Sequence, residues 1–224
     1  MVFSSLIFLF FFLPAALFCY YIVPQKFIRV RNAVLLLFSL FFYFYGEPRL
    51  IGMLIFSILM NYLFGLSMRS AYRKPLLILC VIANLSLLGV FKYLNFFIST
   101  ADSLFGLNIP VTSIVMPIGI SFYTFQAMSY VIDLYRREIR VQKSFVNFAG
   151  YVTLFPQLIA GPIVRYSDIE AQIDGREISI GKIGDGVSVF IRGLAKKVIL
   201  ANTIGAVWTS IKAMDYTALP AATA

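Results

Sequence analysis

Two stretches of the chain concentrate the side chains that could do chemistry: Pro117 to Asp133, PIGISFYTFQAMSYVID, and Leu154 to Tyr166, LFPQLIAGPIVRY. On a helix, residues three and four apart share a face, so Tyr123, Gln126 and Tyr130 make one stripe and Ser121, Phe125 and Ser129 another. Hydroxyls and amides in that pattern bind and orient a polar group, and both stripes are expected to face protein or a cavity. Gln157 falls at an expected helix break, where its amide can satisfy freed backbone groups or a substrate. Arg165 follows Gly161-Pro162 and either holds an anionic group, such as a phosphate or pyrophosphate, or snorkels as an interface arginine. Asp133 precedes Arg136 and Arg137; an ion pair with one of them is the simpler reading, and a proton relay the sharper one.

The chain has no histidine. That removes the side chain most often used as a general base near neutral pH and the commonest metal ligand, so no metal site is expected. Cys19 and Cys80 both lie in apolar runs and read as small buried hydrophobes. Gly181, Gly184 and Gly186 do not make a phosphate loop, since no strand precedes them and no Lys-Ser/Thr pair follows; flexibility before a helix accounts for them.

The elements that must position these residues are membrane helices. Of the 224 residues, 60% are hydrophobic and 13% charged, with a mean hydropathy of +0.87, against about 25% charged in soluble domains. The expected fold class is all-α, a polytopic transmembrane helical bundle, and residues 1–224 read as a single membrane domain. The net charge of +9 falls in short clusters between apolar runs, the pattern of cytoplasmic membrane loops, so the lipid bilayer is the expected partner and nucleic acid is not.

Membrane spans are expected over residues 3–23, 30–46, 50–68, 76–92 and 115–135. The first lacks the positive n-region of a cleaved signal and reads as retained. Asn61 and Asn84 lie inside spans, where an amide must find a partner, and read as interhelical hydrogen-bond donors. Tyr93 to Thr112 reads as a loop or short interfacial helix with Asn108 in it. Pro117 is expected at the first helical position of the fifth span. Lys26, Arg29 and Arg31, then Arg69, Arg73 and Lys74, then Arg136, Arg137, Arg140 and Lys143 fall on alternate connections, against Arg49 and Lys92 on the others. Ten cations against two put the clusters in the cytoplasm and the N-terminus outside.

Residues 144–164 are long enough to span, but Pro156 and Gly161-Pro162 break a helix, so a re-entrant or broken segment is expected. A helix is expected over 187–211, capped by Asp185; Arg192, Lys196 and Lys197 suit an amphipathic helix at the cytoplasmic face. The ALPAATA ending is uncapped and suggests a fold cut short.

The succession PIGISFYTFQAMSYVIDLYRREI, FPQLIAGPIVRY and RGLAKKVILAN resembles the N-terminal half of the membrane-bound O-acyltransferase (MBOAT) family, on its bacterial branch of alginate O-acetylation (AlgI-like) and D-alanyl transfer (DltB-like) proteins. The resemblance covers essentially the whole chain and leans to the alginate type. It implies an MBOAT-type ring of transmembrane helices around a funnel, in the bacterial cytoplasmic (inner) membrane. An acyl group from a cytoplasmic thioester donor, acetyl-CoA or an acyl carrier, would pass through the funnel to an extracytoplasmic polysaccharide such as alginate. The thioester is then a co-substrate rather than a bound cofactor, and periplasmic or extracellular acetylation proteins are expected partners. Ser121, Tyr123, Gln126, Tyr130, Gln157 and Arg165 become the candidate funnel-lining residues.

The family's essential histidine sits in a Trp-His-Gly type motif of the C-terminal half, whereas here the only tryptophan, Trp208, lacks that context. The chain is therefore expected to be an N-terminal fragment or truncated product, inactive alone. Two other classes compete: a transporter or channel component, since broken helices also build transport sites, and a non-catalytic scaffold that recruits a soluble partner through the basic clusters.

Overall fold

The computed structural model describes residues 4–106, 110, 112–158 and 161–213. Asn108, Ile159 and Ala160, and the ALPAATA ending lie outside the described residues. Among those described, every regular element is a helix. They fall into two compact units, 14–176 and 4–13 with 177–213.

The chain opens with a π-helical turn at Phe8–Phe12 followed by α1 (Leu13–Ile22), of which the first unit takes in Pro14 onward. A 3-10 turn then leads into α2 (Ile28–Gly46), giving a 22-residue apolar helix over Gln25–Gly46. After α3 (Ile51–Ser67), α4 (Arg73–Leu88) passes through a π-helical turn at Gly89–Tyr93 into α5 (Leu94–Phe105). Arg73–Phe105 is thus one 33-residue helical stretch, where the sequence suggested a loop or short interfacial helix from Tyr93. Among the described residues, Gln25–Gly46 and Arg73–Phe105 are the two helices long and apolar enough to cross a membrane; Phe8–Ile22 and Ile51–Ser67 are apolar but shorter.

The core forms where α6 (Ile120–Arg136) packs against α3 and α4. Tyr123, Ala127, Tyr130 and Val131 of α6 are fully buried in one apolar cluster with Leu54 and Ile58 of α3 and Cys80 of α4. Close approach requires Gly65: a Cβ there would lie 2.7 Å from Tyr130 Cε1, inside van der Waals contact. α7 (Phe145–Thr153) packs along α2, followed by the single turn α8 (Phe155–Leu158) and by α9 (Tyr166–Asp174).

Helix α6 starts at Ile120, three residues beyond the expected Pro117. Ile118 explains the delay: its N–H donates to Glu47 Oε2 at 3.2 Å and its carbonyl accepts from Tyr43 Oη at 3.2 Å, so both groups are committed outside the helix. Gly119 then turns the chain at φ 74°, and a Cβ on it would meet the Leu158 carbonyl at 2.9 Å. Glycine alone satisfies both conditions without strain.

In the second unit, α10 (Ile180–Ala195) passes through a π-helical segment at Lys196–Ala201 into α11 (Asn202–Lys212). The helix begins well before the expected 187, because Ser179 rather than Asp185 caps it: Ser179 Oγ accepts from the Lys182 N–H at 3.2 Å. Serine is as good an N-cap as aspartate, and the small residues that follow do not stop the helix.

Candidate functional site

The geometry of the site follows from the end of α7. Pro156 brings no N–H, and Phe155 directs its own N–H sideways to Ser39 Oγ of α2 at 3.2 Å. The last carbonyls of α7 therefore need other donors. At Tyr151 O they are two glutamine amides: Gln126 Nε2 of α6 at 2.9 Å and Gln157 Nε2 of α8 at 2.7 Å. The Tyr151 hydroxyl in turn donates to Val164 O at 2.9 Å and approaches Gln126 O at 3.3 Å. Residue 151 thus ties α6, the broken segment and the chain beyond Gly161-Pro162 into one polar knot inside an apolar core.

An aromatic group stands beside it. The Tyr130 ring lies 4.8 Å from Phe148 and 5.0 Å from Tyr166, and Tyr166 meets Tyr151 edge-on at 5.2 Å. Gln142, on the stretch between α6 and α7, serves both tyrosine hydroxyls: its N–H donates to Tyr130 Oη at 2.9 Å and its Nε2 to Tyr166 Oη at 2.8 Å. Burial pushes the Tyr166 phenol up to about 12, against the opposing pull of the Gln142 hydrogen bond. It therefore stays protonated at neutral pH and acts as a hydrogen-bonding group, not as a base.

Of the residues singled out in the sequence, the structure brings Gln126 and Gln157 onto one carbonyl and places Tyr130 in the adjoining aromatic group. Tyr123 is fully buried on the same α6 stripe, and its hydroxyl is one of four buried side-chain oxygens without a partner among the described residues, with Ser57 Oγ, Thr124 Oγ1 and Asp133 Oδ2. Ser121 stands apart at the start of α6, half-buried, where its hydroxyl accepts from Lys92 Nζ at 3.2 Å. Arg165 is exposed just before α9.

Asp133 is only 3% exposed, yet no ion pair to Arg136 or Arg137 forms. Arg136 instead reaches Glu138 at 3.9 Å, just beyond the turn that Arg137 makes at φ 64°. No group of three or more Cys, Asp or Glu that could hold a metal occurs among the described residues.

Sequence reasoning missed Ser39, Gln142, Tyr151 and Tyr166. The available signal was the proline at 156: a helix that ends near it leaves carbonyls open some four residues upstream.

What the knot can do chemically is limited and definite. It holds broken backbone inside an apolar core with neutral hydrogen-bonding groups, and on α6 it leaves the Tyr123 hydroxyl and one Asp133 carboxylate oxygen without a partner among the described residues.

No family model matches the chain, and no solved structure matches it. Among curated proteins it is 40% identical over 216 residues to the "Probable alginate O-acetylase AlgI" of Pseudomonas syringae pv. tomato, covering 92% of this chain and 41% of that protein. It is 39% identical over 217 residues to the protein of the same name in Pseudomonas aeruginosa, again 92% of this chain and 41% of the relative. The "Peptidoglycan O-acetyltransferase" of Helicobacter pylori is 31% identical over 238 residues, covering 90% of this chain and 45% of the relative. The chain spans somewhat under half the length of these relatives. Over that span, the chain is a homologue at 31–40% identity of proteins named alginate O-acetylase AlgI and peptidoglycan O-acetyltransferase, which matches its resemblance to the AlgI-like branch of the membrane-bound O-acyltransferases.

Proposed function

We propose that the chain forms part of a membrane-embedded O-acetyltransferase that moves an acetyl group from a cytoplasmic thioester to a hydroxyl of an extracytoplasmic polysaccharide. The observation that carries this reading is the 31–40% identity, over about nine-tenths of the chain, to proteins named for O-acetyl transfer to two different polymers. Alginate is the acceptor favoured by the higher identities. Acetyl-CoA or an acyl carrier is the donor, and periplasmic acetylation proteins are the downstream partners.

In this reading the chain is a multi-pass protein of the bacterial inner membrane, with five spans, its N-terminus outside and its three Lys/Arg clusters in the cytoplasm. Two long apolar helices and the cation asymmetry support it. The 144–164 segment is re-entrant: non-helical backbone at membrane depth is tolerated against protein, and the Gln126–Tyr151–Gln157 knot supplies that protein contact. The buried α6 stripe of Tyr123, Gln126 and Tyr130 is one wall of the funnel. Gln157 and Arg165 belong to the adjoining wall, and Ser121 to the outer mouth.

Acetyl transfer needs a base to take the proton of the acceptor hydroxyl as the oxygen attacks the thioester carbonyl and the thiolate leaves. With no histidine present, these residues orient and exclude water rather than supply that base. Membranes carrying only this chain are therefore expected to show no acetyl transfer to polysaccharide above background. Clear turnover would sink the proposal that the base lies elsewhere. If acetylation also fails when the chain is supplied with the remaining half of a relative, the transferase reading itself falls.

A further inference from the structure

We propose that the cleft between α2, α7 and α9 is a binding site for an anionic phospholipid with a hydroxylated headgroup, of the phosphatidylglycerol type. The cleft has a polar mouth of about 530 Å³, bordered by Arg29, Lys143, Ser144 and Asp174. It adjoins a slot of about 140 Å³ lined by Leu35, Val146, Gly150, Ile169 and the Arg176 guanidinium, with Asn32, Asn147 and Ile173 bordering both.

The order of chemistry is that of a phospholipid. On α2, Arg29, Asn32 and Leu35 recur every three residues and so follow one stripe, descending about 9 Å from cation to amide to hydrocarbon. From the other side, Lys143 just before α7 borders the mouth, Asn147 of α7 borders both spaces and Gly150 of α7 lines the slot. Two cations suit the phosphate, the second Asn147 amide hydrogen suits an ester oxygen, and the slot suits the start of an acyl chain. Asp174 would repel a bare phosphate but accepts hydrogen bonds, as it does from Asn147 Nδ2 at 3.5 Å, and suits the glycerol hydroxyls of the headgroup. The floor between mouth and slot is fixed: Asn32 Nδ2 donates to Asn147 Oδ1 at 3.0 Å and to Ile173 O at 2.9 Å, and Arg176 closes on Asn32 Oδ1.

The mouth lies at the N-terminal, basic end of one of the two helices long enough to cross a membrane, which is headgroup depth; basic pockets beside transmembrane helices are where anionic headgroups bind. The inference rests on reading α2 as membrane-embedded, and its test does not depend on acetyl transfer.

The test is equilibrium binding of dihexanoyl phosphatidylglycerol to the purified full chain in non-ionic detergent, read by native mass spectrometry. Phosphatidylglycerol is expected to bind at least tenfold more tightly than dihexanoyl phosphatidylcholine, and glycerol 3-phosphate at least tenfold more weakly than the lipid. The double variant R29Q/K143Q should lose at least tenfold, while the charge-conserving R29K/K143R, which controls for folding, should keep binding. Gly150→Leu, whose side chain enters open space in the slot, should weaken the lipid but not glycerol 3-phosphate. Equal binding of phosphatidylcholine, or wild-type affinity in R29Q/K143Q, would overturn the proposal. So would displacement of the lipid by acetyl-CoA at equal concentration, which would assign the cleft to the thioester.

Discussion

Asn61 of α3 and Asn84 of α4 exchange their amides: Asn61 Nδ2 donates to Asn84 Oδ1 at 3.0 Å, and Asn84 Nδ2 donates to Asn61 Oδ1 at 2.9 Å. Each Nδ2 also reaches the carbonyl one turn back, Ser57 O and Cys80 O respectively, so all four amide hydrogens are used. Both residues are fully buried. A reciprocal pair of this kind fixes the rotation and the axial register of two helices together, because neither amide is satisfied if the other moves.

Replacing either partner alone by leucine strands a buried amide and is expected to cost about 1–2 kcal/mol. N61L/N84L should cost less than the sum of the singles. A double-mutant cycle in mixed-micelle unfolding measures the difference, and additive costs would show that the pair is not coupled.

The two glutamines on Tyr151 O are predicted to behave in the opposite sense. Gln126→Met or Gln157→Met leaves the carbonyl one donor, so each single change should cost under about 1 kcal/mol, whereas the double variant leaves it bare and should cost about 2 kcal/mol more than the sum. Thermal unfolding of the three variants reads this directly.

Gly65→Ala places a methyl 2.7 Å from Tyr130 Cε1. Overpacking at the α3–α6 contact should cost about 1–3 kcal/mol. Gly52→Ala on the same helix meets nothing within 4 Å and should be neutral or stabilising by up to about 1 kcal/mol. Equal effects of the two substitutions would show that the close approach does not matter.

Arg137 occupies the left-handed region at φ 64° after α6, with its N–H on Leu134 O at 3.1 Å and the Glu138 N–H on Asp133 O at 3.0 Å. This is the position where helices prefer glycine. Arg137→Gly should therefore stabilise the fold by about 1 kcal/mol, read as a higher thermal midpoint.

Single cysteines at Gly150 and Ser167 lie on either side of the breaks at Pro156 and Gly161-Pro162. In oriented vesicles the re-entrant reading expects both to be labelled from the same side by an impermeant maleimide. Labelling from opposite sides would mean that the segment crosses.

Much of this fold is written in residue types. An asparagine in an apolar helix has to find a hydrogen-bonding partner, and Pro156 cannot donate to a helix, so the partnering of Asn61 and Asn84 and the end of α7 near Thr153 follow from local chemistry. The α6 stripe of Tyr123, Gln126 and Tyr130 was legible for the same reason: three- and four-residue spacing places side chains on one face whatever packs against it. The start of α6 was not legible, because it depends on Glu47 and Tyr43 capturing the two backbone groups of Ile118 from more than seventy residues away.

The sequence by itself determined the apolar, helical character of the chain, its lack of a histidine base, and which polar side chains are placed in apolar surroundings. Tertiary structure alone decided where those groups are satisfied: Gln126 and Gln157 on one carbonyl, Phe155 on Ser39, Asn32 on Asn147, and Asp133 without its neighbouring arginines. The reason is physical. Burial forces every polar group to find a partner, but only the three-dimensional path of the chain determines which donor arrives within 3 Å of which acceptor.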